Sequence, residues 1–191
     1  MKDKLILLMG VSGSGKTTLL TELLQTHSQL ILVPSYTTRP MRSNEKNGRK
    51  YWHISKDDFQ RSIDGGEFLE YALVHQKYYY GTKISEIKKA FDKGLIPITE
   101  LDMNGLEEIR KDNKGIEYVS IFLDLPDDVM VERIKMRGGI YQEEINRRLF
   151  SAQKERKLAK KYCDYVLNTD NTLLQNIKNI NKLVKKILNG K

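Results

Sequence analysis

The sequence predicts a single α/β domain, a parallel sheet flanked by helices, that carries a small insertion. Two observations support this prediction. Short apolar runs alternate along the 191-residue chain with segments of helical periodicity. The first apolar run also ends at a glycine-rich segment that leads into a helix, which is the order of a βαβ unit. A chain of this length buries one full core, so two independent domains are not expected.

The first βαβ unit occupies the N-terminal 34 residues. Residues 5–9 form a short apolar run that ends at a glycine, which is typical of a strand buried in a parallel sheet. Residues 17–25 are predicted to be helical because four leucines fall on one face, at positions 19, 20, 23 and 24. A second apolar run at 30–34 provides the next strand.

The composition changes between residues 35 and 82, where Arg, Asn, Gly and Tyr cluster. Only short strands are predicted there, at 51–54, 68–74 and 78–80, so this segment is interpreted as a small insertion. The alternation then resumes with a helix at 84–93, a strand at 95–101, a helix at 104–111 and a strand at 118–123.

The C-terminal third is predicted to be mainly helical. Asp127 and Asp128 can open a helix that continues through Met136, since acidic side chains favour the positive end of a helix, and Gly138 and Gly139 end it. The helix at 142–162 carries seven basic residues and is predicted to be peripheral and mobile. After a strand at 165–167, the helix at 172–188 is expected to turn six apolar side chains inward: Leu173, Ile177, Ile180, Val184, Ile187 and Leu188.

The net charge of +8 favours anionic partners. The basic residues are spread along the chain, and no zinc-finger or RNA-binding signature accompanies them, so nucleic acid is a minor alternative. No apolar run is long enough to span a bilayer, and the single cysteine, Cys163, cannot form an internal disulfide. We therefore expect a cytoplasmic protein without a nucleic-acid or membrane partner, and the oligomeric state is left open.

The glycine-rich segment GVSGSGKT at 10–17 matches the phosphate-binding pattern G-x-x-x-x-G-K-[ST], and it lies between a strand and a helix as that pattern requires. Lys16 is expected to reach the β and γ phosphates of ATP, and the Thr17 hydroxyl to ligate Mg²⁺. The predicted ATP-binding residues are Gly10, Ser12, Gly13, Ser14, Gly15, Lys16, Thr17 and Thr18. Because motors, GTPases, ATPases and kinases share this loop, it does not identify the acceptor.

The insertion carries motifs that closely resemble the acceptor region of guanylate kinases. They are SYTTRPMR at 35–42 followed by Glu45, Gly48 and Tyr51, then FLEYA at 68–72 and YYGT at 79–82. The resemblance runs nearly end to end, through DMNG at 102–105, Arg137 with Gly138, and NRRL at 146–149. It implies a P-loop kinase core with a mixed α/β acceptor insertion and a helical lid.

The chemistry of the acceptor agrees with this resemblance. Guanidinium groups bind the dianionic phosphate of a nucleoside monophosphate bidentately, so Arg39 and Arg42 are candidate phosphate ligands. Tyr51 and Tyr80 can add hydroxyl donors. Glu70 is the candidate for reading guanine, whose N1–H and exocyclic amine are both donors. The resemblance implies further contacts to GMP from Ser35 and Thr82, on the O6 and N7 side of the base, and from Asp102, near the base and the metal.

The expected reaction is direct in-line transfer of the γ-phosphoryl group of ATP to GMP, giving ADP and GDP, with Mg²⁺ as cofactor. The expected catalytic residues are Lys16, Arg137 and Arg148, with Arg133 a weaker candidate. The resemblance places the core at 1–34, 84–126 and 163–191, the GMP-binding subdomain at 35–83 and the lid at 127–162. Trp52-His53 and Glu100 depart from the commoner family pattern.

Two other functions remain open at this point. Non-catalytic guanylate-kinase-like modules bind protein partners, but such modules tend to lose the ATP loop, which is intact here. A kinase of another nucleoside monophosphate is the second alternative. For the arginine pair, a surface ion-pair network is the competing interpretation.

Overall fold

The structure is a computed structural model that describes residues 4–43, 45–74, 76–136 and 141–189. Nine strands and seven helices occur in these ranges. In chain order they are β1 (Lys4–Gly10), α1 (Lys16–Thr26), β2 (Leu30–Leu32), β3 (Ser35–Thr37), β4 (Tyr51–His53), α2 (Lys56–Asp64), β5 (Phe68–Val74), β6 (Tyr78–Lys83), α3 (Ile84–Asp92), β7 (Ile96–Glu100), α4 (Met103–Lys111), β8 (Glu117–Asp124), α5 (Asp127–Met136), α6 (Gln142–Tyr162), β9 (Tyr165–Asn168) and α7 (Leu173–Leu188).

Two sheets organise these elements. The five-stranded sheet has the order β2-β7-β1-β8-β9, and the four-stranded sheet has the order β4-β3-β6-β5. The pairs β2 with β7 and β8 with β9 are parallel, as predicted for an α/β fold. The chain divides into two compact units: the first unit contains Leu7–Ser28 and Val119–Lys191, and the second contains Lys2–Ile6 and Gln29–Tyr118.

The first unit is built around the apolar ends of β1 and β8. Their side chains are buried together with Leu19, Leu20 and Leu23 of α1, as the periodicity of that helix predicts. Leu24, which is predicted on the same face, is half-buried. Helix α6 matches its predicted bounds and buries a narrow stripe with a seven-residue spacing, Ile145, Ala152 and Ala159. A stripe this narrow leaves most of the helix surface to its charged side chains, which agrees with the predicted peripheral position.

Helix α7 corrects one expectation. Leu173 is 57% exposed, although the sequence predicts that it faces inward. The buried face instead begins at Asn176 and continues through Ile180, Val184 and Ile187. The Asn176 amide donates hydrogen bonds to the carbonyls of Thr169 and Asn171. The first turn of the buried face therefore carries a polar donor for the preceding loop and not an apolar side chain.

The second unit contains an element that the sequence does not predict. Helix α2 lies in the insertion, and Ser55 caps its N-terminus by accepting a hydrogen bond from the Asp58 amide at 3.0 Å. Its buried Phe59 stacks on Phe68 and Tyr79, with ring centroids 4.5 and 5.2 Å apart. The signal was present, because a serine followed by two acidic residues is a helix start. The short strand β3 also escaped prediction.

The end of β1 approaches β8 so closely that only glycine fits there. A Cβ on Gly10 would lie 2.4 Å from the carbonyl oxygen of Leu123, and the next residue, Val11, donates its amide to that same oxygen at 3.1 Å. The backbone of β8 therefore fixes where the glycine-rich loop begins.

We expect Gly10→Ala to lower the free energy of unfolding by about 3 kcal/mol, because the clash is with backbone that cannot rotate away. The measurement is urea denaturation followed by circular dichroism. Gly115→Ala is the control: Gly115 has a φ of +74° but open space around its Cβ position, so only the backbone strain of about 1 kcal/mol applies. Equal losses in the two variants would contradict the steric argument.

Candidate nucleotide-binding sites

The glycine-rich loop of the first unit presents an anion-binding helix end. Gly15 precedes α1 with a φ of +81°, no side chain of the described residues caps the helix, and its first turn holds no acidic residue. The amides of this turn and the positive end of the helix dipole are therefore open to an anion. Ser14 is buried, and its hydroxyl has no hydrogen-bond partner among the described residues.

Lys16 lies over this loop. Its ammonium group donates hydrogen bonds to the carbonyl oxygens of Gly10 and, at 3.2 Å, of Val11. Thr17 and Thr18 follow in the first turn of α1, and both are exposed. The loop thus carries one cation and two accessible hydroxyls next to the open amides.

Two arginines from later helices reach the same loop. Arg148 of α6 donates to the Ser12 hydroxyl at 3.0 Å and pairs with Glu144 at 2.7 Å. The pKa of Glu144 is lowered, mainly by the hydrogen bond from Arg148. Arg133 of α5 donates to the carbonyls of Gly13 at 3.2 Å and Thr169 at 2.8 Å. Arg137 lies outside the described residues.

Arg156 of α6 is a structural residue that the sequence reasoning did not single out. Its guanidinium donates to Asp124 at 2.7 Å, to Asp127 at 2.6 Å and to the carbonyl of Leu125 at 2.6 Å. These bonds tie the middle of α6 to the end of β8 and the start of α5. Helix α6 carries seven basic residues. No signal in the sequence distinguishes Arg156, which bonds to two carboxylates, from the other six.

Glu70 is the buried polar centre of the second unit. It lies in β5 opposite Thr82 of β6, and its Oε1 accepts a hydrogen bond from the Thr82 hydroxyl at 2.7 Å. A Cβ on Gly105 would lie 3.1 Å from Oε2, so the first turn of α4 packs directly on the carboxyl group. Burial raises the pKa of Glu70 to about 7, and the nearby charge of Asp102 adds to this shift.

Asp102 contributes to the same surroundings from the start of α4. Its carboxylate caps that helix by accepting a hydrogen bond from the Gly105 amide at 2.9 Å, and its side chain is exposed. Three further predicted site residues lie in this unit besides Glu70: Thr82, Asp102 and Ser35. Thr82 bonds to Glu70, and the charge of Asp102 acts on its pKa. Ser35 begins β3 and donates its amide to the Lys50 carbonyl at 3.1 Å.

The predicted phosphate-binding arginine Arg39 uses all three of its side-chain nitrogens in hydrogen bonds. Its guanidinium donates to the Tyr80 hydroxyl at 3.1 Å, to Glu45 at 2.6 Å and to the carbonyl of Pro40 at 2.8 Å. Glu45 also accepts from the Arg42 amide at 2.9 Å. These contacts lower the pKa of Glu45 to about 2, with the Arg39 hydrogen bond as the largest cause, so Glu45 is a carboxylate. The two arginines are therefore linked through one acid.

Tyr51 is flanked by cations. The Arg39 guanidinium lies 5.5 Å from its ring centroid and the Lys50 ammonium 5.8 Å, while the Tyr80 ring meets it edge-on at 5.9 Å. Lys50 in turn pairs with Glu100 at 3.1 Å. Burial raises the pKa of Tyr51, so its hydroxyl keeps its proton and can donate.

The structure thus groups Arg39, Tyr51 and Tyr80 in direct contact and links Arg42 to them through Glu45. Glu45 is not among the site residues predicted from the sequence, although it lies within the acceptor motif. Its position three residues after Arg42 is the available signal. The imidazole of His53 lies 3.4 Å from Glu45, a contact that the sequence does not predict.

Comparisons with known proteins identify the family to which this sequence is similar. The guanylate kinase family model matches residues 2–187. A guanylate kinase of Prochlorococcus marinus subsp. pastoris is 37% identical over 183 residues, which cover 95% of this chain and 97% of that protein. One of Clostridioides difficile is 36% identical and covers 88% and 82%.

A solved structure extends the comparison to the fold. The crystal structure of guanylate kinase from Anaplasma phagocytophilum superposes with a TM-score of 0.68 at 26% identity, over 99% of this chain and 86% of that one. The phosphate loop, the acceptor motifs and these matches over nearly the whole length lead to one conclusion: the chain belongs to the guanylate kinase family.

Proposed function

We propose that this enzyme transfers the γ-phosphoryl group of ATP to GMP, giving ADP and GDP. The observation that supports the acceptor assignment best is the buried carboxyl group of Glu70, held by Thr82 in a unit that also carries the arginine and tyrosine cluster. A carboxylate accepts both N1–H and the exocyclic amine of guanine, whereas adenine presents an acceptor at N1. Thr82 and Ser35 are assigned to the O6 and N7 side of the base.

The donor half of the reaction is assigned to the first unit. The open amides at the start of α1 and the Lys16 ammonium are suited to the β and γ phosphates of ATP. Arg148 and Arg133 already contact the loop, so both are placed to neutralise charge on the transferring group. Arg137 is proposed for the same role from the sequence resemblance alone.

The residues present are compatible with Mg²⁺. The described residues hold no cluster of three or more His, Cys, Asp or Glu side chains that could form a metal site. Mg²⁺ needs no such cluster, because it prefers oxygen ligands and in nucleotide sites is held largely by phosphates and water. The exposed Thr17 hydroxyl in the first turn of α1 is the proposed protein ligand. When bound, the ion neutralises charge on the phosphate oxygens.

The acceptor phosphate is assigned to Arg39, Arg42, Tyr51 and Tyr80. This phosphate is already an anion, so transfer needs no strong general base, and alignment together with charge neutralisation supplies the catalysis. The Arg39 guanidinium has two N–H groups beyond the three in the observed hydrogen bonds, so it can share itself between Glu45 and a bound dianion. The ion-pair network that competed with the functional interpretation is therefore present, and it forms part of the proposed site.

The subdomain boundaries stay part of the proposal: a core at 1–34, 84–126 and 163–191, a GMP-binding subdomain at 35–83 and a lid at 127–162. No helix in the described ranges is long and apolar enough to cross a membrane. A cytoplasmic location is proposed because the substrates ATP and GMP are cytoplasmic metabolites and the one cysteine fits a reducing compartment.

The test is ADP release in a coupled assay with ATP, Mg²⁺ and each of GMP, dGMP, AMP and CMP. We expect GMP to give the highest kcat/KM, with AMP lower by about a hundredfold or more, because a buried carboxylate meets an acceptor at adenine N1. No ADP release with any monophosphate would favour the non-catalytic binding module. A preference for another monophosphate would reassign the role of Glu70.

A further inference from the structure

His53, which departs from the commoner aromatic pattern, lies against the proposed phosphate site. It ends β4, and its side chain is 11% exposed. The imidazole Nδ1 is 2.7 Å from the backbone carbonyl oxygen of Arg39, and Nε2 is 3.4 Å from Oε2 of Glu45. The backbone amide of His53 donates to the Asn47 side chain at 2.9 Å, which fixes the strand end. The ring is thus held between a carbonyl and a carboxylate.

The chemistry of these two partners fixes the proton on Nδ1. A carbonyl oxygen only accepts hydrogen bonds, so Nδ1 must carry the proton that makes the 2.7 Å contact. In a neutral imidazole Nε2 is then an acceptor, and it faces the Glu45 carboxylate, which is also an acceptor. Nε2 is buried, and no hydrogen-bond donor reaches it from the described residues. A second proton on the ring converts this contact into a charge-assisted one.

The surrounding charges favour that second proton when a phosphate binds. Glu45 faces Nε2, the Arg39 guanidinium lies beyond it, and the rings of Tyr51 and Tyr80 complete the cluster. With a neutral His53, the formal charges of Arg39, Arg42 and Glu45 sum to about +1. An imidazolium adds one more positive charge, which suits a dianion. Imidazole is also the side chain that changes charge most readily near neutral pH.

We infer that His53 is a positioning residue for the acceptor phosphate: it holds the Arg39 backbone and the Glu45 carboxylate, and it takes up a proton when the phosphate dianion binds. The inference rests on the proposed function, since it assigns Arg39 to the phosphate of GMP. Reciprocity of linkage then requires that GMP binds more tightly where His53 is protonated. Protonation also gives Glu45 a second cationic partner, which frees the Arg39 guanidinium to turn to the phosphate.

The test compares the wild-type protein with His53→Asn. The Asn amide can still donate to the Arg39 carbonyl but has no group at the position of Nε2, so it keeps the anchor and removes the titrating atom. GMP is titrated calorimetrically at pH 7.5 in buffers of different ionisation enthalpy, which gives the protons taken up for each GMP bound. Protons exchanged by Glu70 and by GMP itself contribute to both proteins and cancel in the difference.

We expect the wild-type protein to take up more protons than His53→Asn, by up to about one for each GMP. Between pH 8.5 and pH 6 its GMP affinity is expected to improve relative to that of the variant. Guanosine, which lacks the phosphate, is expected to give equal proton counts in the two proteins. His53→Phe, which lacks both contacts, is expected to raise KM for GMP more than it lowers kcat.

Equal proton counts for GMP in the two proteins, with binding intact, would overturn the role of His53 and leave the proposed function standing. A difference that persists with guanosine would also overturn it, because the proton would then not be coupled to the phosphate. A wild-type protein that does not bind GMP would overturn both proposals. If His53→Asn does not fold, His53→Gln, which places an uncharged amide near Nε2, serves in the same comparison.

Discussion

Lys16→Ala is expected to reduce kcat for GMP-dependent ADP release by about a thousandfold or more, which corresponds to roughly 4 kcal/mol of transition-state stabilisation. The proposed role of the ammonium group is to neutralise charge on the β and γ oxygens of ATP during transfer. A neutral hydroxyl or amide group in the loop cannot replace the Lys16 ammonium group. The negative charge on the phosphate oxygens in the transition state needs a fixed positive charge nearby. Steady-state kinetics at saturating ATP and GMP measures the effect on kcat separately from binding.

The structure identifies the control that this experiment needs. Lys16 donates hydrogen bonds to the carbonyls of Gly10 and Val11, so its removal also changes the loop that it crosses. Urea denaturation of the variant therefore has to accompany the kinetics. Lys178→Ala removes an exposed lysine of α7 in the same unit and is expected to leave kcat within about twofold. A kcat of Lys16→Ala close to the wild-type value would show that the loop binds ATP for another purpose.

The elements that the sequence predicts correctly are those whose periodicity is strong and local. The strand before the loop and α1 follow from the local spacing of their apolar residues. Helix α6 is long enough that its predicted bounds match those in the structure. Strand β3 has only three residues, so it carries too little periodicity to be predicted. Helix α2 has a start signal at Ser55, but its packing through the stack of Phe59 on Phe68 depends on tertiary contacts that the sequence pattern does not show. The prediction that Leu173 faces inward was wrong for a related reason. Apolar periodicity does not reveal that the loop before α7 is bonded by the Asn176 amide, which occupies the start of the buried face.

The candidate site was predictable as a set of residues and much less so as a set of interactions. The motifs predict Arg39, Glu70 and Thr82 within one insertion, and the structure describes all three in the second unit. They do not reveal that Arg39 pairs with Glu45 or that His53 touches both partners, since these contacts join residues through the fold and depend on side-chain direction. The contacts among Arg39, Glu45 and His53 can be seen only once β4, β3 and β6 lie side by side in the sheet.

Glu70→Gln is expected to lower the preference for GMP over AMP by about a hundredfold or more. The carboxylate can accept two hydrogen bonds from guanine, whereas the amide accepts with its oxygen only and places a donor against the second guanine group. Phosphate binding is assigned to other side chains, so Arg39-dependent affinity should persist. The measurement is kcat/KM for GMP and AMP in both proteins. Full retention of the preference would show that another group reads the base.

The pH dependence of the wild-type enzyme follows from the same group. Glu70 is neutral below its pKa of about 7 in the free protein, and a neutral carboxyl group is a poor partner for two donors. We therefore expect kcat/KM for GMP to contain a contribution that falls as the pH decreases below 7. In Glu70→Gln this contribution is absent, while the contribution from the phosphate of GMP remains in both proteins and serves as the internal reference.

The stability of the variant provides a readout that needs no substrate. Burial raises the pKa of Glu70 from 4.5 in the unfolded chain to about 7, so the folded state binds more protons between these values and stability falls as the pH rises through that window. The cost above pH 7 is roughly 3 kcal/mol by linkage. Glu70→Gln carries no such cost, so it is expected to be more stable than the wild-type protein at pH 8, with the difference shrinking towards pH 4.5. The expected result is a variant that loses guanine preference and gains stability only at high pH. This result would show that the buried charge of Glu70 destabilises the folded protein and is retained because substrate recognition needs it.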